Sequence, residues 1–199
     1  MPKPVVAIDV DDVLADSRER FRQEINVRHQ LDLQPAHYAV PGEYWGYYER
    51  IWRELGIYES LALDDINASM KHHVLPHADA PAVLKRLSRD YDLVVVTARR
   101  EKWQQLTRDW LERHFPDTFC DIHFAGNTNH TTHVTKGDMC AEVGAQWLID
   151  DHVQHCRDAA ERGVTPLLFG DYGWQQGVPM ELVRCRDWLT VEGYFDGRA

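Results

Sequence analysis

Five short, largely apolar runs punctuate the chain, at residues 5–9, 93–97, 122–125, 147–150 and 165–169. They are continuous rather than alternating, the pattern of strands buried on both faces of a parallel sheet. Helical patterns lie between the later runs. Trp103, Leu106, Trp110 and Leu111 share one helical face, and Val153, Cys156, Ala159 and Ala160 form a second stripe that stops at Gly163. Strand alternating with helix predicts an α/β fold with a parallel sheet covered on both sides.

One interval breaks the rhythm. About 90 residues separate Asp9 from Thr97, whereas a strand-helix-strand unit takes about 30, which leaves about 50 to 60 inserted after the first strand. Asp16 followed by Glu19 reads as a capping box opening a helix through Phe21 and Ile25. Pro41-Gly42 punctuates, Tyr47, Ile51 and Leu55 suggest a second helix, and another short one follows Asp64. The expected organisation is therefore a core of residues 1–16 and 78–199 with a small helical cap at 17–77. The core resumes at Asp79-Ala80-Pro81, a helix start that leads through Val83, Leu84 and Leu87 into the second strand.

Composition narrows the function. The chain has 199 residues, 44% of them hydrophobic, and 22 basic against 32 acidic side chains give a net charge of −10. That excess of acid argues against a polynucleotide partner held through phosphate contacts. No apolar run has the length of a membrane span, and the short run at 5–8 meets Asp9 before it could serve as a signal core, so a cytoplasmic protein is expected. Cys120, Cys140, Cys156 and Cys185 are scattered without a CxxC pair, as reduced, mostly buried thiols are. His123, His130 and His133, like His72, His73 and His77, lack the partners that would complete a zinc site and read as polar loop residues.

In an open parallel sheet, ligands bind beyond the carboxyl ends of the strands. The first strand ends in Asp9-Val10-Asp11-Asp12-Val13, the second in Thr97-Ala98-Arg99 and the fourth in Asp150-Asp151. Lys136, the only lysine after Lys102, opens the helix before the fourth strand. Asp9, Asp11 and Asp150 would crowd several carboxylates together, which calls for protons or a cation. Mg²⁺ is suited to this, since it takes one or two carboxylates and keeps positions for water and a phosphate oxygen. Lys136, the Thr97 hydroxyl and turn N–H groups, Ala98 included, would meet the remaining phosphoryl oxygens. Arg99 could reach the phosphate or a substrate group, or pair with a surface acid.

This arrangement resembles the haloacid dehalogenase superfamily of phosphohydrolases. Asp9-Val10-Asp11-Asp12-Val13 matches its DxDx[TV] first motif, Thr97 its second, Lys136 its third and Asp150-Asp151 its fourth, in the family's order. The resemblance implies a three-layer Rossmann-like sheet with a helical cap inserted after the first strand. It also implies a Mg²⁺-dependent phosphomonoesterase, with Asp9 as nucleophile forming an aspartyl-phosphate and Asp11 as general acid and base. Asp9, the Asp11 carbonyl and Asp150 would hold the metal, and Asp151 would be a ligand through water or would orient Lys136. Asp12 departs from the family, which often has Gly there, and leaves the local turn open.

The cap carries the densest aromatic cluster, Tyr44, Trp45, Tyr47, Tyr48 and Trp52. Aromatic faces stack nucleobases, although a small cap also needs bulky side chains for its own packing. The cap after the first motif, Leu148-Ile149-Asp150-Asp151 and the chain length resemble the 5′(3′)-deoxyribonucleotidases, which makes a nucleoside monophosphate the expected substrate. Tyr44, Trp45, Tyr48 and Trp52 are the candidate substrate contacts in the cap. A phosphosugar phosphatase is the alternative within enzymes. A phospho-accepting receiver domain is the alternative outside them, but it would lack the long cap and would place its acceptor after the acidic pair.

Overall fold

The computed structural model describes residues 2–38, 51–58, 68, 71–125, 134–175, 177 and 181–198. Six parallel strands form one sheet: β1 (Val5–Ile8), β2 (Asp92–Thr97), β3 (Asp121–Phe124), β4 (Ala145–Asp150), β5 (Thr165–Phe169) and β6 (Val183–Cys185). Their order is β3-β2-β1-β4-β5-β6, with the reversal between β1 and β4. The five apolar runs are thus five of these strands, the last with the same bounds and the others shifted by one or two residues. The sixth escaped because it has three residues, two of them exposed, too few for any period to register.

The described helices include α1 (Ser17–His29), α2 (Ala80–Leu87), α3 (Gln104–His114), α4 (Lys136–Glu142), α5 (Val153–Ala160) and α6 (Trp188–Phe195). On one side of the sheet Val6, Ile8, Val95 and Ile149 join α2, α3 and α6 in a core that continues into Phe21, Ile25, Trp52 and Val74. On the other, Ala7, Val96 and Leu148 pack with Cys140 of α4 and Ala159 of α5. Covering the central strands β1, β2, β4 and β5 on both faces explains why their runs lack alternation. Trp188 and Phe195 are core residues, whereas Leu189 between them is 55% exposed. Cys140, Cys156 and Cys185 are buried free thiols, and Cys120 is an exposed one.

The segment that leaves β1 and the one that returns to β2 run side by side. Ala15 bridges Pro76, His77 N donates to the Leu14 carbonyl at 2.8 Å, and Asp16 N donates to that of Leu75 at 3.1 Å. Indole N–H groups pin both strands of this crossing: Trp188 Nε1 donates to Val13 O and Trp110 Nε1 to Val74 O. The capping box expected at Asp16 is absent. Asp16 makes no side-chain cap bond, and Glu19 is drawn away by Arg22 at 2.5 Å, a charge-assisted pair stronger than a neutral N–H contact. Of the expected cap elements, residues 51–54 and 71–73 are helical. Pro41-Gly42, Tyr47 and Asp64 lie outside the described residues.

Candidate active site

Asp9 follows β1 and its N–H donates to the Ile149 carbonyl of β4 at 3.0 Å, which fixes the two strand ends at the switch point where such sheets bind ligands. The chain then turns tightly, with Val13, Leu14 and Ala15 N–H groups all directed at the Val10 carbonyl. Asp12 takes a left-handed conformation, φ 59°, which Asp tolerates because its side chain bonds locally. Here it accepts the Arg18 N–H at 2.9 Å, so an acid does the work that Gly does elsewhere. The Tyr172 hydroxyl secures the turn by donating to the Asp12 carbonyl at 2.6 Å.

Lys136 occupies the first position of α4, where a cation opposes the helix dipole. Its partners explain the placement: Nζ lies 2.7 Å from Asp9 Oδ2 and 2.7 Å from Asp150 Oδ2, all three side chains buried. Thr135 and Asp138 cap the helix reciprocally. Gly137 permits the close approach of α5, since a Cβ there would lie 2.5 Å from the Asp158 carbonyl oxygen. Burial alone would strip the Lys136 proton, but the two carboxylates hold its pKa above the ordinary lysine value.

The acids differ sharply in how they are satisfied. Asp150 has both oxygens engaged, Oδ2 by Lys136 and Oδ1 by the His152 N–H at 2.8 Å and by His155 Nδ1 at 3.2 Å. Its pKa is held low against burial by Lys136 and His155. Asp151 is 1% exposed and its Oδ2 is buried without a partner. Burial, with Asp150, Asp12 and Asp9 adding repulsion, drives its pKa well above the usual range. Asp9 is raised for the same reason, burial outweighing Lys136, and burial lifts Asp12 to about 7. Asp9, Asp150 and Asp151 each offer a ligand atom within 4.8 Å of the others. The orphaned Asp151 oxygen and the surplus negative charge suit this cluster to a hard divalent cation.

Asp11 stands apart from that cluster. Arg99 grips its carboxylate with two bonds, Nε to Oδ2 at 2.9 Å and Nη2 to Oδ1 at 2.6 Å, and the Ser17 hydroxyl adds a third at 2.5 Å. Against burial, Arg99 and then Lys71 keep Asp11 far below the ordinary carboxylate range. Thr97 is buried, with Oγ1 accepting the Arg99 N–H at 3.3 Å, and Ala98 is exposed beside it.

Sequence reasoning and geometry diverge at three places. Asp150, rather than Asp151, orients Lys136. Arg99 pairs with an acid of the site itself. Trp52, offered as a substrate contact, is 1% exposed and packs 5.5 Å from Phe21, so it belongs to the core. Tyr44, Trp45, Tyr48, His130 and His133 lie outside the described residues. Three contributors went unread. Lys71 is 6% exposed and surrounded by the charges of Asp11, Arg99, Asp12 and Asp9; burial pulls its pKa down to about 8, and no described residue pairs with it. Ser17 and His155 are common residue types whose roles exist only once the chain is folded.

The family whose sequence model matches residues 3–192 is described as 5′ nucleotidase, deoxy (Pyrimidine), cytosolic type C protein. A Staphylococcus aureus protein named "Putative 5′(3′)-deoxyribonucleotidase" is 27% identical over 207 residues, covering 98% of this chain and 97% of the relative. Among solved structures, a haloacid dehalogenase-like hydrolase from Streptococcus pneumoniae has a TM-score of 0.62 at 17% identity, covering 97% of this chain and 98% of its own. A haloacid dehalogenase-like protein of unknown function from Agrobacterium tumefaciens has a TM-score of 0.66 at 14% identity, covering 98% of this chain and 99% of its own. The structures share the fold, and the sheet order with Asp9 at the end of β1 departs from that of a receiver domain.

Proposed function

The chain belongs to the cytosolic type C 5′-nucleotidase family and is a phosphomonoesterase of that kind, and we propose that it removes phosphate from (deoxy)nucleoside monophosphates through an aspartyl-phosphate on Asp9. The observation that carries the chemistry is the buried cluster of Asp9, Lys136, Asp150 and Asp151 at the switch point.

Asp9 and Asp151, with the Asp11 main-chain carbonyl, would hold Mg²⁺, while Asp150 serves by fixing Lys136. The assignment follows from satisfaction: both Asp150 oxygens already have a partner, and Asp151 has one oxygen with none. Such an ion supplies charge neutralisation and polarises a phosphoryl oxygen. Lys136 and the Thr97 hydroxyl would bind the other phosphoryl oxygens, with the N–H of Ala98 beside them. Asp9 attacks phosphorus. Asp11 protonates the departing alkoxide and later takes a proton from the hydrolytic water. The segment 17–77 would act as the cap, with Lys71 reaching toward the phosphate and Tyr44, Trp45 and Tyr48 available to stack a base.

Phosphate release from a panel of nucleoside monophosphates, sugar phosphates and p-nitrophenyl phosphate, with Mg²⁺ or with EDTA, tests the reading. Nucleotides should be the best substrates, and EDTA should abolish turnover. Faster hydrolysis of sugar phosphates than of every nucleotide would overturn the substrate and leave the chemistry standing. Full activity of Asp9→Asn would overturn the covalent route.

A further inference from the structure

We propose that Arg99 is a positioning residue for Asp11, selecting which oxygen of that carboxylate exchanges a proton with the leaving group. The inference rests on the reading of Asp11 as general acid and base. Each carboxylate oxygen has two lone-pair positions. Oδ1 accepts from Arg99 Nη2 and from Ser17 Oγ, so both of its positions are taken. Oδ2 accepts from Arg99 Nε alone and keeps one open. Two parallel bonds from a planar guanidinium also set the plane of the carboxylate.

The guanidinium is itself held from behind. Its Nη1 donates to Thr107 Oγ1 of α3 at 3.1 Å, and that hydroxyl donates to the Trp103 carbonyl at 2.8 Å. The Arg99 side chain is 1% exposed, whereas that of Asp11 is 25% exposed. The pair is therefore rigid on the protein side and open on the solvent side, with Oδ2 as the oxygen able to serve an incoming ester. In the first step the bond from Asp9 to phosphorus forms as the ester P–O bond breaks. The electron pair leaves on the ester oxygen, which takes the proton from Asp11 Oδ2 to give the alcohol. In the second, water attacks phosphorus, its proton passes to Oδ2, and the bond to Asp9 breaks to release orthophosphate.

A poor leaving group needs that proton, whereas p-nitrophenolate departs without it. The test compares kcat/KM for the best alkyl phosphomonoester with that for p-nitrophenyl phosphate. The constant covers steps up to leaving-group departure and omits the later hydrolysis. Arg99→Lys keeps the charge and loses the two-pronged grip; Arg99→Met loses both. Each should lower the alkyl value by about 10- to 100-fold and the aryl value by less than about threefold. Thr107→Val, which leaves the ion pair in place, should shift the ratio the same way by a smaller factor, so a poorly folding Arg99 variant does not shield the proposal. Asp11→Asn should show the same selectivity, and adding Arg99→Met to it should bring no further selective loss. An unchanged alkyl-to-aryl ratio in Arg99→Lys, or equal losses on both substrates, overturns the positioning role. If Asp11→Asn itself lacks the selectivity, the acid role of Asp11 falls and the proposal with it.

Discussion

Replacing Asp151 by Asn should make the metal-free protein more stable and deprive it of its response to Mg²⁺. The carboxylate is buried, one oxygen has no partner, and Asp150, Asp12 and Asp9 all repel its charge. A buried polar atom without a partner costs about 1–3 kcal/mol, and a charged one more. Asn keeps the shape, stays neutral without having to take up a proton, and offers an N–H₂ that can donate to the neighbouring carboxylates. In EDTA the variant should therefore gain about 1–3 kcal/mol by urea unfolding, or about 2–10 °C in Tm for a chain of this size. Wild type should recover the deficit when Mg²⁺ is added, since an ion at 100 times its Kd contributes about 2.7 kcal/mol. The variant should recover little, and its turnover should collapse. A variant less stable than wild type in EDTA, or one with an undiminished Mg²⁺ response, would refute the assignment of Asp151 as the cation's ligand.

Four further outcomes are expected. Lys71→Met removes a buried cation that no described residue pairs with; Tm should hold or rise, while kcat/KM for phosphomonoesters falls about 10- to 100-fold, the worth of one charge-assisted bond. Gly137→Ala forces α4 away from the Asp158 carbonyl at a cost of about 1–3 kcal/mol, and because Lys136 is the adjacent residue, activity should fall further than Tm predicts. Asp138 is lowered to about 2 by the Thr135 N–H, Arg162 and the Thr135 hydroxyl. Between about pH 4 and 2 the unfolded chain binds the proton that the folded one refuses, so stability is lost as pH falls through that window, and Asp138→Asn should flatten that limb of an acid-unfolding curve. Trp52→Ala should act as a core deletion, lowering Tm by the equivalent of about 3–5 kcal/mol, whereas a base-stacking residue would change KM with little change in Tm.

The legible part of the fold was what burial writes into local sequence. Strands such as Leu93 to Thr97, sealed on both faces, must be apolar at every position, and the helices between them show one apolar stripe each. Asp9, Asp11 and the Asp150 pair were equally visible, because charge at the end of an apolar strand has no packing rationale, and Lys136 stood out as the only lysine after Lys102. What stayed hidden depends on contacts across long separations. Arg99 meets Asp11 from 88 residues away, and either a phosphate or an acid would satisfy a guanidinium, so its spacing alone carried no preference. Glu19 had the right offset for a cap, yet Arg22 at i+3 offered a stronger partner. Trp52 sat among aromatics that suggested a binding face, but its own side chain packs in the core with Phe21 and Ile25.

The Asp150-Asp151 pair shows why a motif can place chemistry and still leave the roles open. Successive side chains at the end of a strand leave the backbone in different directions, so two adjacent acids meet different neighbours even where one oxygen of each comes within 4.8 Å of the other. Asp150, still inside β4, meets Lys136 from α4 and the first turn of α5, which together satisfy both of its oxygens. Asp151 lies one residue beyond the strand, its main-chain carbonyl gripped by Trp174 and Gln175 and its carboxylate Oδ2 without a partner. Which of the two acids has both carboxylate oxygens engaged is thus set by which residue is the last of the strand.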